Sequence, residues 1–115
     1  MLCCIFFLPK MKKTDTNDIE QSLINMFKES ENEIEKEKVV KANYMINRLL
    51  EAFRFISIFD KINHVEIITQ LYFTKCNIKE LGIRKMADKL FMDEKTLYKL
   101  RRKYCEVAKI IMKEE

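Results

Sequence analysis

The sequence predicts an all-α fold, a small helical domain that ends in a helix-turn-helix. Hydrophobic residues make up 48% of the 115 residues, enough for a modest core, which argues against global disorder. The chain contains one Gly and one Pro, whereas strands joined by hairpins need such turn residues repeatedly. Its apolar residues instead recur at steps of three and four, the spacing of helices with one buried face.

Residues 1–17 are predicted to form an N-terminal extension. The apolar run Leu2–Leu8 has no basic flank and no small-residue cleavage site, and it is too short to cross a bilayer. Met11 opens a polar stretch, so residues 1–10 are interpreted as the product of a misassigned start codon. A hydrophobic anchor or a short core-packing segment are the alternatives.

Residues 18–61 are predicted to form the N-terminal helices. A short helix over 18–29 can be capped by Asp15 or Asn17, whose side chains accept hydrogen bonds from free backbone amides. The charged stretch 28–38 has no apolar stripe, so it is a solvated linker or the exposed start of the next helix.

The longest helix is predicted over 34–59. Its apolar residues keep to one side by alternating steps of three and four: Val39, Ala42, Ile46, Leu49, Phe53 and Ile56. Further apolar residues widen this stripe towards the end of the helix and indicate burial against several neighbours: Leu50, Phe55, Ile58 and Phe59. The helix is interpreted as domain core, with the seam of a homodimer as the alternative.

Residues 62–115 begin with a helix that Asn63 can cap and that ends near Lys75. Its inward residues are Val65, Ile67, Ile68, Leu71, Tyr72 and Phe73. Asn77 and Glu80 then have the spacing of a capping box, and Gly82 can take the positive φ of a tight turn.

The stretch 82–100 predicts a helix from about 83 to 90 and a second helix after Asp93, a good N-cap. A helix-turn-helix needs a small residue where the helices cross, with apolar residues beside the turn and inward on the second helix. The chain supplies these residues at fixed offsets: Ala87, Leu90, Met92, Leu97 and Leu100. Phe91 occupies the turn position that often carries glycine, which leaves the turn geometry open.

The second helix of this pair is basic. From Lys95 to Lys113, seven Lys or Arg against one acid give +6, whereas five Glu against one Lys over 29–37 give −4. This asymmetry indicates an anionic partner, or only a solvated helix face. The predicted DNA contacts are Arg84, Lys85, Lys95, Tyr98, Lys99, Arg101 and Arg102. Early residues of a recognition helix reach base edges, and later ones meet phosphates.

No catalytic, metal or cofactor site is predicted. The four cysteines form no CxxC pair, so they indicate neither a zinc site nor a disulfide framework, and a reduced cytosolic protein is expected. Asp60 and Glu66 are interpreted as solvated acids at helix ends and His64 as a surface residue. Cys105 is interpreted as a buried small hydrophobe.

The stretch "VEIITQLYFTKCNIKELGIRKMADKLFMDEKTLYKLRRKYCEVAKII" resembles the sigma-factor region-4-like helix-turn-helix of small phage regulators of the ArpU and RinA type. The resemblance implies a phage- or prophage-encoded transcriptional regulator that binds double-stranded DNA and contacts RNA polymerase. Two rival functions remain open. One is a small terminase-like DNA-packaging protein, and the other is a helical module that binds RNA polymerase or a sigma subunit without binding DNA.

Overall fold

The computed structural model describes residues 13–113, which form five helices and no strand, and so confirms the all-α prediction. The helices are α1 (Lys13–Ser30), α2 (Lys36–Asp60), α3 (His64–Tyr72), α4 (Ile78–Lys89) and α5 (Glu94–Lys113). Residues 1–12 of the predicted extension over 1–17 lie outside the described residues. Among residues 13–113, no helix is both long enough and apolar enough to cross a membrane.

The first helix starts earlier than predicted. Because α1 begins at Lys13, Asp15 and Asn17 lie inside it, and the prediction that one of them caps the helix is wrong. The inward face of α1 is buried as the spacing predicts, with Leu23 fully enclosed. The charged residues 31–35 form the connection to α2, where Asn32 Oδ1 accepts hydrogen bonds from two backbone amides.

The second helix buries one face only. Five of the six predicted core residues are buried, and Val39 is half-buried. The predicted widening of the stripe is wrong for Phe55, Ile58 and Phe59, which are exposed because the neighbouring helices cover the opposite side of α2. The helix ends where Lys61 adopts a left-handed φ of 60° and its amide donates to the Ser57 carbonyl.

Asparagine caps start the next two helices, as predicted. Asn63 Oδ1 accepts from the Glu66 amide at 3.1 Å, and α3 then ends at Tyr72 rather than near Lys75. Asn77 Oδ1 accepts from the amides that open α4, at 2.9 and 3.2 Å. Gly82 interrupts α4 with φ 82° and ψ 165°, a conformation open almost only to glycine.

A single core joins all five helices. Each helix contributes at least one side chain that is at most 2% exposed, and examples in chain order are Leu23, Phe53, Leu71, Met86 and Leu97. Burial of such side chains stabilises the fold by roughly 1.5–3 kcal/mol each before the entropy of ordering is subtracted. The core therefore holds α4 and α5, the predicted helix-turn-helix, against the other three helices.

Candidate nucleic-acid interface

The turn between α4 and α5 closes by a Schellman motif, a helix end in which two amides fold back onto two carbonyls. The Met92 amide donates to the Ala87 carbonyl at 3.0 Å, and the Phe91 amide donates to the Asp88 carbonyl at 3.2 Å. Phe91 has a left-handed φ of 57°, a region that L-residues other than Gly, Asn and Asp seldom adopt. The turn therefore has the shape that glycine normally supplies, although phenylalanine occupies it.

Asp93 caps the start of α5, as predicted. Its Oδ1 accepts from the Thr96 amide at 3.2 Å, and its carbonyl accepts from the Leu97 amide at 3.1 Å. Hydrogen bonds from the Thr96 side chain and then from the Thr96 amide hold the pKa of Asp93 below its usual value. The cap is therefore ionised at neutral pH, where a negative charge at a helix N-terminus is favourable.

Each predicted inward residue of the helix-turn-helix is buried or half-buried. Ala87 is 2% exposed and Leu97 fully buried, whereas Leu90, Met92 and Leu100 are half-buried against the core. The small Ala87 side chain lies in the core beside fully buried Met86 and Leu97. Helices α4 and α5 therefore pack against the core on one side, and the other side of α5 faces solvent.

Most of the predicted DNA contacts lie on that outer side. The exposed members of the set are Arg84 and Lys85 on α4, and Lys95, Tyr98, Lys99 and Arg102 on α5. The α5 residues span the first half of the helix, from the cap to the middle of the chain's most basic segment. We call these six residues the basic face. They present five positive charges and one aromatic ring to solvent on α4 and the first half of α5.

Arg101 does not lie with the basic face. Its side chain is only 13% exposed, and its guanidinium makes two short hydrogen bonds to Glu20 of α1, from Nε to Oε2 at 2.7 Å and from Nη2 to Oε1 at 2.6 Å. Burial lowers the pKa of Arg101, but the adjacent Glu20 carboxylate raises it above its usual value, so the guanidinium stays charged. The fork geometry of guanidinium and carboxylate makes this a bidentate pair.

Sequence reasoning missed Glu20, which is fully buried at the centre of this contact. The Tyr72 hydroxyl also donates to Glu20 Oε2, at 2.5 Å, and Lys79 Nζ lies 3.9 Å from Oε1. Burial raises the pKa of Tyr72 well above its usual value, so its hydroxyl stays a donor. A signal was present: Glu20 shares the inward face of α1 with Leu23 and Ile24, and an acid in an apolar stripe needs a buried partner.

The buried pair also supports the basic face from beneath. The Arg101 guanidinium carbon lies 5.6 Å from the centre of the Tyr98 ring, within cation–π range. Tyr98 is 52% exposed, so one side of its ring contacts Arg101 and part of the rest meets solvent. Glu20 thus holds Arg101, and Arg101 restricts the orientation of Tyr98 on the outer surface.

A second buried polar cluster lies away from the basic face. His64 is 1% exposed, so its interpretation as a surface residue is wrong. Its Nδ1 lies 2.6 Å from the Tyr104 hydroxyl and its Nε2 lies 2.5 Å from Asp60 Oδ2, which satisfies both ring nitrogens. Burial raises the pKa of Asp60, but hydrogen bonds from His64 and the Ile62 amide outweigh it and lower that pKa overall.

These buried groups are poorly placed for nucleophilic chemistry. Burial raises the pKa of Tyr104 far above neutrality, and burial raises the pKa of the Cys105 thiol to about 12. Activated nucleophiles need the opposite shift, towards the ionised form at neutral pH. Within residues 13–113, no three His, Cys, Asp or Glu side chains come close enough to hold a metal ion. The His64 cluster instead ties the end of α2 and the start of α3 to α5.

No protein-family model, no curated protein sequence and no solved structure matches this chain significantly.

Proposed function

We propose that the protein is a DNA-binding transcriptional regulator that inserts the first turns of α5 into the major groove. The observation that carries this proposal is the basic face itself. Its six residues are exposed, and four of them lie in the first half of a helix that is capped by Asp93 and joined to α4 by a tight turn. A helix joined to another by a short turn, with exposed donors in its first turns, is suited to reading base edges.

The proposed contacts divide by position along α5. Lys95, Tyr98 and Lys99 lie in the first turns, where a recognition helix enters deepest and lysine donors can reach the acceptors of guanine. Arg102 lies about one turn later and is assigned to phosphate. Arg84 and Lys85, on the preceding helix, are assigned to phosphate as well.

Arg101 takes a different role in this proposal from the one that its sequence position predicted. Because its guanidinium is engaged by Glu20 and contacts Tyr98, it positions Tyr98 rather than binding DNA directly. Its charge is also offset by Glu20, which reduces the attraction that the basic face exerts on phosphate. The number of phosphates neutralised should therefore reflect the exposed cations alone.

The resemblance to small phage regulators of the ArpU and RinA type narrows the proposal further. On that resemblance, the regulator is phage- or prophage-encoded and acts on late genes, with RNA polymerase as a further partner. The turn from α4 to α5 supports only the helix-turn-helix part of this proposal, since Phe91 adopts the backbone conformation that glycine commonly supplies in such motifs.

Binding-site selection from random duplexes, followed by fluorescence anisotropy on the selected site, tests the proposal. We expect a preferred sequence, and log affinity should fall linearly with log salt at about 0.9 per phosphate neutralised. Lys36→Ala is the matched control, because it removes an exposed lysine from the start of α2 and should leave affinity unchanged.

Other outcomes point to the rival functions. Binding to every duplex with equal affinity would favour the packaging role over regulation. No binding to any duplex at low salt would contradict the proposal, and binding to RNA polymerase under those conditions would favour the protein-binding module.

A further inference from the structure

The outer side of α2 exposes a second apolar stripe, separate from the core stripe. Val40 and Ile58 are 67% and 70% exposed, and Tyr44, Phe55 and Phe59 are each at least half exposed. The Phe55 and Phe59 rings contact one another edge to face, with centroids 5.1 Å apart. Single exposed hydrophobic residues are ordinary, but these five lie along one side of one helix, in two groups at positions 40–44 and 55–59.

The spacing of this stripe is that of a helix that packs against another helix. Positions 44, 48, 51, 55 and 58 follow one another at alternating steps of four and three, the heptad rhythm of paired helices. Three of these positions are apolar, and Arg48 and Glu51 lie between them. We call this line of residues, together with Val40 and Phe59, the outer stripe.

The outer stripe is symmetric about a point between residues 49 and 50. Three pairs of residues lie at equal distances on either side of this point: Val40 with Phe59, Tyr44 with Phe55, and Arg48 with Glu51. If two copies of α2 pack antiparallel about it, Val40 meets the partner's Phe59 and Tyr44 meets the partner's Phe55, whereas Ile58 lies outside these pairs, opposite the partner's Lys41. Arg48 of each copy then meets the partner's Glu51. This is the self-complementary pattern of a two-fold symmetric interface.

We propose that the protein forms a homodimer in which two α2 helices pack antiparallel through their outer stripes. The charges select the orientation, because a parallel pair in register would place Arg48 on the partner's Arg48 and Glu51 on the partner's Glu51. Aromatic side chains, which carry much of the energy at such interfaces, lie on both sides of the central charges. The dimer does not depend on DNA binding, since the outer stripe shares no residue with the basic face.

The sequence left open a homodimer seam on the 34–59 helix as the alternative to domain core. The structure buries the stripe from Ala42 to Ile56 within a single chain, so the proposed seam is the outer stripe. The α2 helix therefore has two apolar faces, of which the outer one remains for a second copy.

Sedimentation equilibrium of the full chain tests the proposal without DNA. We expect a mass of twice 13.9 kDa at micromolar concentration. Phe55→Glu should raise the dimer dissociation constant about a hundredfold, because it places charge in the apolar seam. Ile34→Glu is the matched control: Ile34 is 89% exposed but precedes α2, so the dimer should be unchanged.

A charge swap tests the antiparallel register. Arg48→Glu and Glu51→Arg should each weaken the dimer about tenfold, since each creates two like-charge contacts across the two-fold axis. The double variant carrying both changes should restore wild-type affinity. Circular dichroism and thermal melting of each variant check that the monomer remains folded.

Three results would overturn the proposal. A double charge swap that stays as weak as the single variants would refute the antiparallel register. A monomeric full chain would refute the dimer. In that case Phe55→Glu would lower thermal stability if another segment of the same chain covers the outer stripe. It would leave thermal stability unchanged if a different protein covers the stripe. A dimer insensitive to Phe55→Glu would place the interface elsewhere.

Discussion

Arg101 and Arg102 are neighbours on α5 and have opposite environments. Arg101 is 13% exposed and paired with Glu20, whereas Arg102 lies exposed on the basic face. The difference is made by one buried acid that lies 81 positions away in the chain. Two regions of α5 thus use the same residue type differently: the buried pair fixes α5 to α1, and the basic face presents charge to solvent. A count of basic residues along a helix therefore overstates the surface available to an anionic partner.

The largest effect is expected from Glu20→Gln, which removes the buried carboxylate that pairs with Arg101. Arg101 would keep its charge in the interior without a carboxylate, a change that typically costs about 3–5 kcal/mol. Urea denaturation measures the free energy of unfolding. Glu33→Gln is the control, because Glu33 is an exposed acid in the connection between α1 and α2.

The double variant Glu20→Leu with Arg101→Met tests whether the lost stability comes from the unpaired charge. Replacing both charges by apolar side chains should recover most of the lost stability, because no unpaired charge remains. A Glu20→Gln loss below about 1 kcal/mol, the usual worth of an exposed ion pair, would contradict a structural role for the buried pair.

Ala87→Leu tests the packing beneath the basic face. Ala87 is 2% exposed in the core between α4 and α5, so a larger side chain should overpack the contact and cost about 1–3 kcal/mol. Thermal and urea melting measure the cost, and Asp88→Leu on the exposed side of α4 is the control. Unchanged stability would mean that the two helices do not approach closely at Ala87. Ala87 would then not be the small residue that a helix-turn-helix needs where its helices cross.

Phe91→Gly should stabilise the turn. Phe91 is 96% exposed, so removing its side chain loses almost no burial, while glycine relieves the left-handed backbone at φ 57°. The relief of about 1–2 kcal/mol is partly offset by the greater entropy of glycine in the unfolded chain, which leaves a net gain of about 0.5–1 kcal/mol. A rise in the melting temperature is expected, and a fall would contradict the strained turn.

The smallest effect is expected from Asp93→Asn, which keeps a capping side chain but removes its charge. The pKa of Asp93 is lower in the folded protein than in the unfolded chain, so its charge stabilises the fold above the unfolded pKa of about 3.9. That contribution is lost as pH falls through the folded pKa. The wild type should therefore melt slightly above the variant at neutral pH and at the same temperature in strong acid. A difference that persists in strong acid would contradict the ionised cap.

Local signals were sufficient for much of the fold. Asn63, Asn77 and Asp93 cap helices as their positions predicted, because a cap depends on amides within three residues. The periodic apolar residues of α2 also identified its buried face. Such signals depend on residues within one or two turns of helix. A single sequence is therefore enough to recognise them.

Contacts between distant segments could not be predicted in the same way. Arg101 finds its partner on α1, and His64 finds Tyr104 on α5, and neither pairing leaves a periodic trace. Periodicity also did not show where the buried face of α2 ends, so Phe55 and Phe59 were predicted to widen it although both are exposed. At the candidate site, the spacing of Lys99 correctly predicted that its side chain is exposed. The spacing of Arg101 did not predict that its side chain pairs with Glu20 in the interior.

The proposed function requires that the first turns of α5 read bases while the residues around them position the helix on phosphates. Paired salt titrations on the selected duplex and on a scrambled duplex test it most directly, using Lys99→Ala and Arg84→Ala. Lys99→Ala should cost about 1–3 kcal/mol on the selected site and relax selectivity at one or two positions. Arg84→Ala should weaken both duplexes alike and reduce the salt slope by about one. If Lys99→Ala instead weakens both duplexes equally with selectivity intact, α5 is an electrostatic clamp, and sequence-specific regulation by this helix is contradicted.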